Sequence, residues 1–169
     1  VALCLVGTFL SAQETNEGEK EWSDYWAEQV HEFQKKGESP LNEPDRLAFN
    51  AFDLFDYDPT FRVTADFTPI DDEKAFKMKT SGSRLPVYKK IGKLVFIVNG
   101  VEEELSVYRN LELAKMEAYR NYLFVPFTDL TNHDLTYGGG RYLDLEGPLE
   151  SEVVLDFNKA YNPYCAYAD

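Results

Sequence analysis

Two stretches near the end of the chain concentrate the side chains that could do chemistry. The first, residues 127–144, holds Asp129, Thr131, Asn132, His133, Asp134, Thr136, Tyr137, three consecutive glycines, Arg141 and Asp144. The second, residues 156–167, holds Asp156, Asn158, Lys159, Tyr161, Asn162 and Cys165. Short polar side chains at Asp129, Thr131, Asn132 and Asp134 bond readily to nearby backbone amides and so build turns. They are also hard oxygen ligands at alternating spacing, which a divalent cation such as calcium accepts, but the full ligand set and terminal bidentate Glu of a helix–loop–helix site are absent. The glycines before Arg141 permit a bulge or a close backbone approach. They do not form a phosphate loop, since neither Lys-Ser/Thr nor a helical pattern follows.

Arg141 and Lys159 are the only bases after residue 126, set among acids at 129, 134, 144 and 156. A planar guanidinium in that setting either locks a buried carboxylate such as Asp129 or Asp156, or grips the carboxylate of a ligand. Asp156, Asn158, Tyr161 and Asn162 would leave amides and phenols at one rim, with Pro163 holding Asn162 extended. The candidate ligand-binding set is therefore Asp129, Thr131, Thr136, Tyr137, Arg141, Asp156, Asn158, Tyr161 and Asn162. Arg141 is expected within reach of Asp129 or Asp156, the group lining a concavity with Tyr137 and Tyr161. Three functions compete: a small polar ligand or cation held at this rim, hydrolysis by the paired carboxylates Asp129 and Asp156, or a structural module with no small-molecule site. A thiol enzyme built on His133 and Cys165 is the weakest, because an exported cysteine tends to pair.

These residues need a scaffold, and the pattern of the chain supplies one. The 169 residues suit a single domain. Trp22, Tyr25, Trp26, Gln29, Val30 and Phe33 recur at helical spacing, so an amphipathic helix is predicted to end near Gly37, its aromatics packed as core. A second short helix is predicted from Asn42, with Pro44 in its first turn and Leu47, Ala48 and Phe52 inward. From residue 60 the period becomes two, giving roughly eight strands: 61–67, 76–80, 85–88, 94–98, 101–108, 122–127, 140–145 and 153–157. Asn99-Gly100 between two apolar runs predicts a hairpin. Residues 111–120 read equally as a helical turn or a strand. The fold class is mainly β (α+β): an antiparallel barrel or sandwich-like sheet with an N-terminal helical region.

The opening run, Val1 to Leu10, is apolar and uncharged, and Ser11-Ala12-Gln13 follows it. It is too short to span a bilayer and has the form of a signal-peptide remnant cleaved after Ala12. Residues 13–21 then form an acidic linker, and residues 22–169 the domain. Export to the periplasm or the extracellular space is expected, with no transmembrane segment in the mature chain. Lipid anchoring on Cys4 is disfavoured by Leu3, where a small residue belongs. The net charge of −13 is uneven: residues 14–58 carry 13 acids against 4 bases, and residues 127–169 carry 8 against 2. Phosphate contacts need clustered bases, so nucleic acid is excluded as a partner, and a cationic partner is easier to accommodate.

The two late stretches, with Ser39-Pro40-Leu41 and Asp58-Pro59-Thr60-Phe61-Arg62-Val63, closely resemble domain-of-unknown-function family 1684 of bacterial and archaeal proteins. The resemblance rests on Phe127-x-Asp129-x-Thr131, on 136–144 and on 156–167. It implies no reaction. It implies that relatives continue past residue 169 with a Cys-Pro-rich segment, so that this chain is truncated there and Cys165 is half of a disulfide.

Overall fold

The computed structural model describes residues 6–79 and 85–167, with side chains described from residue 16 onward. Helix α1 (Val6–Gln34) and short α2 (Glu43–Ala48) precede seven strands: β1 (Arg62–Pro69), β2 (Phe76–Lys77), β3 (Val87–Val98), β4 (Val101–Asn110), β5 (Tyr122–Phe127), β6 (Arg141–Glu146) and β7 (Glu152–Asp156). All described strand pairs are antiparallel and form one sheet, ordered β6-β5-β4-β3-β1-β7, with β2 beside β3. The sheet curls into a half-barrel.

Alternation along the strands sets its inner face. Ala65, Leu94, Phe96, Val107, Leu123, Val125, Leu143 and Leu155 are buried there, together with Ala160 from the segment after β7. Burying such side chains is the main stabilising term. The segment after β7 also reaches the opposite edge of the sheet. Tyr142 of β6 and Tyr161 exchange both backbone hydrogen bonds, at 2.9 and 3.1 Å. The chain's own C-terminal segment thus spans the gap between the two edge strands, which limits the exposed edge.

The predicted hairpin is present: Val98 pairs with Val101 and Leu94 with Leu105. Its turn puts Asn99 at φ 51° and Gly100 at φ 77°, the double positive φ that Asn-Gly tolerates. The runs 85–88 and 94–98, read as two strands, fall from Val87 onward within the single strand β3. A register shift between Lys90 and Gly92 disturbs the pairing, and that bulge hides the period. Only Phe76 and Lys77 of the 76–80 run pair; Thr80 lies outside the described residues. Residues 111–120 form two 3-10 turns.

α1 buries Trp26 and Phe33, as its spacing predicted. The helix also takes in residues 13–21, expected as a linker. That stretch is rich in helix-forming Glu, Gln and Lys. Gly18 is buried against Tyr57, where an added Cβ would meet the hydroxyl at 2.3 Å. Of the apolar opening, residues 1–5 lie outside the described residues and the backbone from Val6 is helical. No described helix is long and apolar enough to cross a membrane.

α2 starts as expected, with the Asn42 side chain accepting from Asp45 N–H at 3.0 Å. It stops after six residues, and Leu47, expected inward, is 70% exposed. The packing falls instead to Phe49 and Phe52 on the extended segment that follows. Their rings meet Phe33 of α1 at 5.4 and 4.7 Å between centroids. Tyr167 closes on Phe33 from the other end of the chain at 5.1 Å.

Candidate functional site

The 127–144 motif folds as strand, knotted loop, strand. β5 ends at Phe127, and the loop turns on Asp129, whose Oδ1 accepts from the Thr131 N–H at 2.8 Å and from its hydroxyl. Asn132 accepts from the Asp129 N–H at 2.7 Å and donates from Nδ2 to Thr136 Oγ1 and to the Tyr137 carbonyl, at 2.9 and 3.0 Å. The hydroxyls of Thr131 and Thr136 lie 2.8 Å apart. The short polar residues thus tie the loop together, as the turn reading expects. Gly140 returns the chain to β6 at φ +97°, and a Cβ there would meet the Phe127 carbonyl oxygen at 2.5 Å. No other residue type fits that close approach.

That return aims Arg141 inward. Its Nη2 donates to Asp129 Oδ2 at 2.5 Å, and its guanidinium carbon lies 5.4 Å from the Phe127 ring centroid and 5.8 Å from that of Phe55. The Arg141 side chain is 13% exposed and Asp129's 31%. Burial pushes the Asp129 carboxyl up, but the hydrogen bonds from Thr131 and Arg141 outweigh it and hold it below its ordinary value.

The pair sits in the wall of a cavity of about 1400 Å³ at one end of the half-barrel. Phe96, Val98, Leu105 and Phe157 line its inner side; the segment 49–59, the loop 128–136 and Trp26 complete the wall. Six of the nine candidate residues line it: Asp129, Thr131, Thr136, Arg141, Asn158 and Asn162.

Tyr137, Asp156 and Tyr161 do not, which corrects the expected convergence. Asp156, 7% exposed, pairs with Arg62 at 3.2 Å rather than with Arg141, because β7 lies beside β1 with Asp156 in register with Arg62. Asn158 locks that corner. Its Nδ2 donates to Asp156 Oδ1 and to the Asp58 carbonyl, its Oδ1 accepts from the Asp58 N–H, and its carbonyl accepts from Trp26 Nε1. Tyr161 turns to the outer face. There its hydroxyl and that of Tyr122 both donate to Asp144 Oδ1 at 2.8 Å. Tyr137 holds Asn162 Oδ1 through its backbone N–H at 3.3 Å, and its hydroxyl accepts from Cys165 Sγ at 3.9 Å.

The hydrolase arrangement therefore loses its pair, since Asp129 and Asp156 are each engaged by a separate arginine. Desolvation by neighbouring rings pushes Asp144 above its ordinary range, although part of its side chain meets solvent and both tyrosine hydroxyls pull the other way. It does not line the cavity. A divalent cation fares no better at the loop, where both oxygens of Asp129 are already engaged. Among the described residues no group of three or more His, Cys, Asp or Glu is placed to hold a metal ion.

Sequence reasoning missed Arg62 and the segment 49–57. The segment supplies Phe49, Phe52 and Phe55 at intervals of three, with Asp53 following Phe52 and Asp56 following Phe55. That interleaving of aromatics and acids was the available signal.

The family profile described as "Protein of unknown function (DUF1684)" matches residues 47–169, and the chain belongs to that family. Both late stretches fall inside the match, whereas Ser39-Pro40-Leu41 precedes it. Among solved structures, the chain is similar to the uncharacterized protein from gene locus rrnAC0354 of Haloarcula marismortui, determined by solution NMR. The two are 32% identical, with a TM-score of 0.69 over 92% of this chain and 84% of that one. No curated protein matches the chain.

Proposed function

We propose that this family member binds a small amphipathic molecule in the half-barrel cavity, with the Arg141–Asp129 pair and the neighbouring amides and hydroxyls as its polar contacts. One observation carries the reading: a cavity of about 1400 Å³ whose walls are largely aromatic and aliphatic, with polar groups from the two late motifs joined by acids from the segment 49–59 and from β4. Ligand sites have this make-up, apolar walls with a few placed polar groups, over volumes of about 300–1,000 Å³ for drug-sized ligands. A protein without a ligand gains nothing from leaving so much apolar wall unfilled, because unfilled space forfeits packing contacts. The wall favours an amphipathic molecule over the wholly polar one expected from the motifs alone.

Export remains part of this proposal, supported by the apolar run before Ser11-Ala12-Gln13. Mass spectrometry of secreted or periplasmic protein should find the mature N-terminus at or near Gln13; retention of residues 1–12 would contradict it.

The binding reading is tested with N-phenyl-1-naphthylamine, a neutral dye that fluoresces in apolar surroundings. Saturable enhancement is expected, and Leu105→Trp, which fills the inner wall, should abolish it while circular dichroism stays unchanged. Enhancement that survives Leu105→Trp undiminished would place the dye elsewhere and sink the proposal.

A further inference from the structure

We propose that the ligand of this cavity is an organic cation, an amine or quaternary ammonium group carried on an apolar body. The inference rests on the ligand-binding reading above and adds the sign of the ligand's charge. Two independent observations lead to it.

The first is the wall. Ten of the lining residues are aromatic. Aromatic faces attract cations through the ring quadrupole, and the attraction strengthens where water is displaced. The protein already uses these rings in that way: the Arg141 guanidinium, itself an organic cation, rests near the rings of Phe55 and Phe127. An ammonium group carried into the cavity would meet the same kind of surface on Phe49 and Phe52.

The second is the balance of charge. The lining carries five acids, Asp53, Asp56, Asp58, Glu103 and Asp129, against one base, Arg141. Asp129 and Arg141 neutralise each other. Asp58 Oδ1 is occupied by the N–H and hydroxyl of Thr60. Asp53, Asp56 and Glu103 are exposed, and among the described residues no hydrogen bond or ion pair engages their carboxylates. Three uncompensated carboxylates at the rim of a low-dielectric cavity focus a negative potential into it. An anion would have to pass that rim and then displace Asp129 from the one lining cation. A metal ion such as calcium takes six to eight oxygens together, and among the described residues no three acids are placed to hold one. A cation with an apolar body satisfies rim and wall together.

The test is competition against bound N-phenyl-1-naphthylamine on the full chain at low ionic strength. The competitors are dodecyltrimethylammonium and dodecanoate, each below its micelle concentration. The dodecyl tail is one methylene longer than that of dodecanoate, worth roughly fourfold, so a larger preference belongs to the head group. The cation should displace the dye at a concentration about tenfold or more below that of the anion. The preference should shrink as ionic strength approaches about 1 M, where screening acts within ~3 Å. The triple variant Asp53→Asn, Asp56→Asn, Glu103→Gln changes only exposed, unpartnered side chains, and it should bring the ratio towards one. Dye binding with equal displacement, or with dodecanoate ahead, overturns the organic-cation assignment alone and shifts the anchor to Arg141. Dye that never binds overturns the ligand-binding reading and this assignment with it.

Discussion

An aspartate from each late motif pairs with an arginine, and the two pairs do different work. Arg62 and Asp156 sit in register on adjacent strands. Asp156 is 7% exposed, Asn158 supplies two further donors to it, and Arg62 also reaches Glu21 of α1 at 2.9 Å. That pair fastens helix, first strand and last strand, and Asp156 does not line the cavity. Arg141 and Asp129 join a strand end to a loop, with the carboxylate 31% exposed where Asp156 is 7%, and form part of the cavity wall. The same two functional groups are a latch where the carboxylate is buried and met by several donors of the protein, and a binding feature where the wall beside them is left unfilled. The chemical type of a motif residue does not say which role it has; its neighbours do.

Removing one carboxylate from each pair separates the roles. Asp156→Ala leaves Arg62 with Glu21 alone and Asn158 Nδ2 with the Asp58 carbonyl alone. It should cost about 3 kcal/mol in urea unfolding, as breaking a buried charge pair does. A loss below about 1 kcal/mol, the worth of an exposed ion pair, would erase the distinction.

Arg141→Ala should cost less, about 1.5 kcal/mol for one charge-assisted hydrogen bond in a partly open site. It should nonetheless change dye or competitor affinity more than Asp156→Ala does in the folded protein. The reverse order in affinity would make Asp156 the functional member.

The smallest effect is acid dependence. The folded-state pKa of Asp129 is lowered, so its contribution is fully present above the ordinary value of 3.8 and lost as pH falls through the lower folded value. Between pH 5 and pH 3 the natural chain should therefore lose more stability than Asp129→Asn. Equal losses would show that Thr131 and Arg141 do not hold that carboxylate ionised.

How much of this was legible follows from the range of each interaction. Asp129 and Arg141 stand 12 residues apart on one strand–loop–strand unit, so their pairing could be expected from local order. The Asn99-Gly100 hairpin and the Trp26–Phe33 stripe are local too. Arg62 and Asp156 are 94 residues apart, and their pairing depends on β7 lying beside β1, a neighbour relation that no period in the sequence encodes. The segment 49–57 was opaque for another reason. Its backbone forms neither helix nor strand, so the interval of three between Phe49, Phe52 and Phe55 points to a helix that is not there. The side each ring faces is set by α1 and the cavity, which are distant in sequence. Tyr161 was misplaced because its backbone bridge to Tyr142 decides its direction.

The central claim is that the cavity at the end of the half-barrel is a ligand site, and heteronuclear NMR titration tests it most directly. Labelled protein is titrated with dodecyltrimethylammonium below its micelle concentration, and perturbed amides and methyl groups are mapped. The account predicts saturable shifts gathered at Val98, Leu105, Phe127, Leu135 and Arg141, with the outer-face residues Tyr122 and Asp144 unmoved. Shifts scattered over the outer face, or none at the inner wall at saturating ligand, would contradict it.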